Sequence, residues 1–184
     1  MEKDYKKYII ALSFSDEYDK KLRILMDNVA LITNTPPLYD HMIPHVTLHR
    51  PLSGINYEKI INLAQSIALR LHKSRIRVGG IEHFGKKYIV LPVHATYTIA
   101  SLWSGIHELL SQVPEYEHGP FDHDNTLHIT LAKDTEEIFD QAWNTLREKC
   151  FTESFDVPVD RVSVYGKLPS GDWEVVQHIS LPEK

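Results

Sequence analysis

Cysteine is almost missing from this chain: Cys150 is the only one, so no internal disulfide can form. It closes an expected helix with no nucleophile-activating motif beside it, and a structural role is expected for it. Long apolar runs are missing too. No stretch approaches the roughly 18 to 20 residues that cross a bilayer, and no small-residue cleavage site follows the short apolar run in MEKDYKKYIIALSF. That run reads as a first strand, and a soluble, cytoplasmic protein with no membrane partner is expected.

An excess of positive charge is also lacking. The formal net charge of −5 argues against bulk, sequence-independent binding to long nucleic acid, while leaving a short or terminal one open. One interval runs the other way: Arg70, Lys73, Arg75, Arg77, Lys86 and Lys87 face only Glu82, and they read as a solvated rim of helix and hairpin. Low-complexity segments and linkers of flexible composition are absent. With 184 residues the chain is long enough to bury a core without staples, so one unit spanning residues 1–184, and a monomer, are expected.

What is present is a doubled order of elements. Tyr8 to Phe14 is β-rich, and Ser15 with Asp16 and Glu17 starts a helix that runs to about Thr33. Ile43 to His49 alternates like a strand until Pro51 stops it. A helix follows from Asn56 through about Tyr57 to Lys73, then strands at Arg75–Phe84 and Lys87–His94 around a Gly85-Lys86-Lys87 turn. The second half expects a helix over 97–113, a strand Leu127–Ala132, a helix Thr135–Cys150, and strands near Phe155–Tyr165 and Trp173–Leu181. Strand, helix, strand, helix, strand thus occurs twice at similar spacing. The implied fold class is α+β, with two pseudo-symmetric, intertwined lobes of mostly antiparallel sheet flanked by helices and a central groove.

The middle strand of each half carries the same pattern. Pro44-His45-Val46-Thr47-Leu48 and Leu127-His128-Ile129-Thr130-Leu131 both read histidine, β-branched apolar, threonine, leucine. Chance alone gives a bare H-x-T roughly 0.6 times in a chain of this composition, but the stricter pattern only about 0.03 times. A third copy, His94-Ala95-Thr96, lacks the β-branched middle residue and following leucine, and falls at the end of a first strand.

Side chains two apart on a strand share a face about 7 Å apart, so each motif sets an imidazole beside a hydroxyl, while Val46 or Ile129 anchors the opposite face. Two such strands aimed at one point form a cradle for a phosphate. Imidazoles titrating near neutrality can supply the base and the acid that phosphodiester cleavage needs, and threonine hydroxyls can donate to non-bridging oxygens. His49 shares that face if the strand alternation continues, and is a further candidate for substrate binding.

At these residues the chain resembles the 2H phosphoesterase superfamily, and within it the bacterial-type 2′-5′ RNA ligase and RNA 2′,3′-cyclic phosphodiesterase group. The resemblance implies a bilobal LigT-like fold, no metal or nucleotide cofactor, and hydrolysis of RNA or nucleotide 2′,3′-cyclic phosphates to 2′-phosphates. By carry-over, His45 and His128 are the catalytic pair and Thr47 and Thr130 bind the phosphate. The partner so implied is a small cyclic nucleotide or an RNA end carrying a cyclic phosphate. Alternatives are a 2H enzyme acting on another phosphodiester, including 2′-5′ linkages, or a non-catalytic module that binds nucleotides or RNA ends, with His118, Phe121 and His123 as a lid. A metal site built on His41, His45 and His49 is disfavoured by Pro44 and Pro51, which oppose a helix there.

Overall fold

The first half of the chain runs β1 (Lys7–Phe14), α1 (Asp16–Thr33), β2 (Val46–Thr47), α2 (Tyr57–Leu69) and β3 (Ser74–Gly79), with a 3-10 turn at Leu38–Asp40. After β4 (Glu82–Phe84) the second half runs β5 (Tyr88–His94), helical residues at 105–106 and 108–111, β6 (His128–Lys133), α3 (Phe139–Lys149) and β7 (Ser154–Lys167), and β8 (Trp173–Ser180) follows. These elements belong to a computed structural model that describes residues 5–40, 43–49, 51–94, 105–106, 108–113, 126–150 and 153–183.

Local chemistry accounts for the element ends. In α1, Leu22, Leu25, Met26, Val29 and Ala30 are buried along one stripe. The Ser15 carbonyl accepts from Tyr18 and Asp19, and acidic Asp16, Glu17 and Asp19 sit at the positive end of the helix dipole. Asn34, in the left-handed region at φ 50, closes that helix. At α2, the Asn56 side chain accepts from the Lys59 amide at 2.9 Å.

All strand pairings are antiparallel, in the order β2-β1-β7-β3-β5 with β6 and β4 both on β5, and β8 beside β3 along the long β7. The run β2-β1-β7-β3-β5-β6 reads the same from both ends. The first strand of each half pairs on one side with its own motif strand and on the other with the last strand of the opposite half. β2 and β6 end this run and approach each other without joining, so the sheet is not closed.

One face of β1, carrying Ile10, Leu12 and Phe14, packs into the main core with the buried stripes of α1 and α2. The other face carries Ile9, Ala11 and Ser13. There a small second cluster forms, in which Ile9, Ala11 and Tyr165 are buried with Ile43 and Trp173 packed against them. The motif side chains stand on this second face.

Four expected elements differ in extent. The strand expected over Ile43–His49 is only Val46–Thr47. Beyond it the Leu48 amide still donates to Ile10, but the next bridge joins Leu52 to Tyr8. The pairing register with β1 therefore shifts by two residues between Leu48 and Leu52.

The helix expected to reach Lys73 ends at Leu69, because Lys73 already donates to the Pro182 carbonyl and Ser74 pairs with Val159. Arg75–Phe84 is two strands rather than one. Gly79 has φ 148, and a Cβ there would stand 2.3 Å from Ser154 Cα, so the chain bends where it passes β7. The last helix begins at Phe139 rather than Thr135: Asp134 is left-handed, and Thr135 Oγ1 donates to the Lys86 carbonyl at 2.7 Å.

The basic interval behaves as a rim. Arg70, Lys73, Lys86 and Lys87 pair with Glu108, Glu183, Asp140 and Asp134, respectively. Exposed pairs of this kind contribute little to stability, and they lower the positive field available to a polyanion.

Candidate functional site

Both motifs are built alike. Val46 and Leu48 are fully buried, as are Ile129 and, to within 1 %, Leu131, while His45, Thr47, His128 and Thr130 are half-buried on the opposite face. Thr47 stands opposite Ala11 of β1, and Thr130 opposite Val90 of β5. The alternation that pins the apolar residues in the core thus fixes the direction of the polar ones.

Each imidazole is held by the same local bond. His45 Nδ1 lies 2.8 Å from the Ile43 carbonyl, and His128 Nδ1 lies 2.9 Å from the Thr126 carbonyl. A carbonyl only accepts, so Nδ1 carries the proton in both rings and Nε2 presents a lone pair. At His45 that lone pair accepts from Thr47 Oγ1 at 3.0 Å. Ordinary strand spacing thus yields a matched pair of basic nitrogens and two nearby hydroxyls.

Burial sets the charge state. Loss of water around His45 pushes its pKa down to about 4; the Ile43 bond opposes this, and the positive charge of His128 adds to it. His128 is lowered as well, by burial, against the bond to Thr126. Both rings are therefore neutral at pH 7 without a ligand. The repulsion felt at His45 also shows that the two motifs share one electrostatic neighbourhood, across the approach of β2 to β6.

Two aromatic side chains complete the walls. Tyr165 of β7 lies with its ring centroid 5.4 Å from that of His45, and Phe84 of β4 meets His128 edge-to-face at 4.8 Å. Neither was found by sequence reasoning. Each lies on a strand remote in sequence from its histidine, and the signal would have been the pairing order rather than any local motif. Beside Tyr165, Ser13 Oγ lies 2.5 Å from Ser163 Oγ, which lies 2.6 Å from His178 Nδ1.

The other histidines are placed differently. His49 sits after β2, where the register with β1 shifts, and it is 3 % exposed. Its buried side chain is engaged with neighbours. His94 ends β5 with Nε2 3.2 Å from the Gly79 carbonyl, apart from the pair. His41, Thr96, His118, Phe121 and His123 lie outside the described residues. Among the described residues no three His, Cys, Asp or Glu side chains gather as a metal-binding group.

Comparison with solved structures gives the same fold over nearly the whole length. A Thermus thermophilus protein, TT0787, matches with TM-score 0.65 at 17% identity, covering 97% of this chain and 99% of that one. Escherichia coli LigT, solved with NADP+, matches with TM-score 0.62 at 14% identity, covering 98% and 99%. Kluyveromyces marxianus Usb1 matches with TM-score 0.53 at 14% identity, covering 97% and 99%. No curated protein matches the sequence. The family model of the 2′-5′ RNA ligase superfamily matches residues 20–168, which include both histidine motifs. By that match this chain belongs to the 2′-5′ RNA ligase superfamily, among the 2H phosphoesterases.

Proposed function

We propose that this protein is a phosphodiesterase that opens 2′,3′-cyclic phosphates at RNA ends or on nucleotides, using His45 and His128 as acid and base. The observation that carries the reading is the matched pair of imidazoles, each with Nδ1 tied to a backbone carbonyl and Nε2 left as the working nitrogen. Membership of the superfamily supports phosphodiester chemistry in general. LigT has been solved with phosphate, 3′-AMP and ATP, which supports a nucleotide as the ligand class.

In this scheme the cyclic phosphodiester binds between the motifs. Its negative charge raises the pKa of both rings, so that one imidazole takes up a proton from solvent while the other stays neutral. The neutral Nε2 removes a proton from water as the water oxygen bonds to phosphorus. The P–O3′ bond breaks, and the imidazolium gives its proton to O3′, leaving a 2′-phosphomonoester and a free 3′-hydroxyl. Thr47 and Thr130 donate to the non-bridging oxygens as charge shifts onto them. Thr47 must release His45 Nε2 to do so, and ligand binding can drive that exchange. His49, buried beyond β2, is proposed to support the His45 loop rather than to touch substrate.

The test is incubation with a short RNA ending in a 2′,3′-cyclic phosphate in excess chelator, beside His45→Ala and His128→Ala. Conversion to a 2′-phosphate by wild type alone is the expected result. Binding without turnover would instead indicate an end-binding module or a different phosphodiester substrate.

A further inference from the structure

The two histidines share their backbone anchor but not their surroundings, and the difference lies in the aromatic walls. Phe84, beside His128, is itself half-buried. Tyr165, beside His45, is 1 % exposed and belongs to the second buried cluster with Ile9 and Ala11.

The register shows how Tyr165 reaches its place. It pairs with Ile9, two positions along β1 from Ala11, which is opposite Thr47. Ala11 has no exposed surface, and it makes a cluster with the tyrosine ring. A larger residue at position 11 would fill the space that lets a ring on β7 reach a histidine beyond β2. The pairing therefore builds a passage from β7 under β1 to His45.

We infer that Tyr165 is a positioning residue for His45: its ring is the apolar wall that holds the imidazole in place and keeps water from its inner side. The assignment takes its catalytic meaning from the role proposed above for His45, but its physical content is independent of any substrate. The ring, rather than the hydroxyl, carries the effect. Tyr165 Oη is buried and makes no hydrogen bond among the described residues. The hydroxyls of Ser13 and Ser163 lie near enough to favour its ionised form, yet neither meets it in bonding geometry. Those serines are joined instead to each other and to His178.

Among the described residues, groups on three segments act on His45. From its own segment there are the Ile43 carbonyl and Thr47 Oγ1, from β6 the charge of His128, and from β7 the Tyr165 ring. Burial is the largest influence on its protonation, ahead of the Ile43 bond and the His128 charge. Replacing the ring by a flexible side chain of similar bulk keeps the volume but loosens the wall and admits water.

The experiment is a proton NMR titration of the His45 ring in wild type, Tyr165→Phe and Tyr165→Met, with His128 as internal control. Phenylalanine is expected to leave the His45 midpoint unchanged. Methionine is expected to raise it by about one pH unit, a tenfold change in proton affinity, with His128 moving far less. In turnover, methionine should shift the acid limb of kcat/KM by the same amount, and phenylalanine should not. An unmoved His45 midpoint in the methionine variant overturns the inference, as does an equal rise in both variants, which would assign the effect to the hydroxyl. Should the methionine variant not fold, wild type still decides: a cross-relaxation contact between the His45 and Tyr165 rings supports the inference, and its absence overturns it. Because the titration needs no substrate, a protein inactive on cyclic phosphates would refute the proposed function without touching this result.

Discussion

His45 Nε2 and Thr47 Oγ1 lie 3.0 Å apart, so the imidazole of the first motif accepts the hydroxyl proton of the same motif. No equivalent bond joins His128 to Thr130 among the described residues, and the two halves are alike in design but not in resting state.

Loss of either imidazole should cost about 10²- to 10⁴-fold in kcat on a cyclic-phosphate RNA, since each removes one proton transfer. The double variant His45→Ala/His128→Ala should be little worse than the poorer single one, because the pair acts as a unit. Single-turnover rates measure this directly, and additive losses would contradict a concerted pair.

The threonines should separate by substitution. Thr130→Val removes a hydroxyl with no hydrogen-bond partner among the described residues and is expected to lower kcat about tenfold or more with a smaller change in KM. Thr47→Val removes a donor to the phosphate but also frees Nε2 of His45, so its kcat loss should be the smaller of the two. Steady-state kinetics on both variants, with the Ser replacements as conservative controls, gives the order.

Acid should destabilise the fold through His45. Unfolded, the ring titrates near 6.5, and folded near 4, so between those values the unfolded chain binds more protons. Stability is therefore full above about pH 6.5 and falls as pH drops towards 4. His128, lowered in the same direction, adds to the slope. In His45→Gln the slope over this window should flatten, as read from urea midpoints at several pH values. An unchanged slope would mean that His45 charges freely in the folded state.

Gly79→Ala should destabilise the protein by more than about 1 kcal/mol, since a methyl at φ 148 is strained and meets Ser154. Gly54→Ala, at φ 74 but with no atom near its missing Cβ, isolates the backbone part. Thermal or denaturant unfolding of the two variants separates backbone strain from the clash.

The paired motifs were legible because strand alternation is local: Val46 and Ile129 had to be buried, and that decided where His45, Thr47, His128 and Thr130 stand. Where alternation broke, the reading broke with it. Nothing near His49 in sequence announces the shift in pairing between Leu48 and Leu52, since the extra residues are defined only against β1. The start of α3 was misplaced for a similar reason, as Thr135 is tied to the Lys86 carbonyl of a distant turn. Tyr165 was invisible to local reading, because only the β1–β7 register brings it under His45.

The palindromic strand order bears on how the molecule comes to exist. β1 leaves the ribosome well before one of its two ladder partners, β7, which begins at Ser154. Until that strand arrives, one edge of β1 has no native partner, and the wall beneath His45 is missing. The sequence-distant pairing puts a high entropic cost on closing the sheet and makes folding slow relative to helical proteins of this length. It also means that a fragment ending before β7 keeps an exposed, apolar strand edge, a surface prone to misassociation. The first motif is complete in the chain long before it can be complete in space.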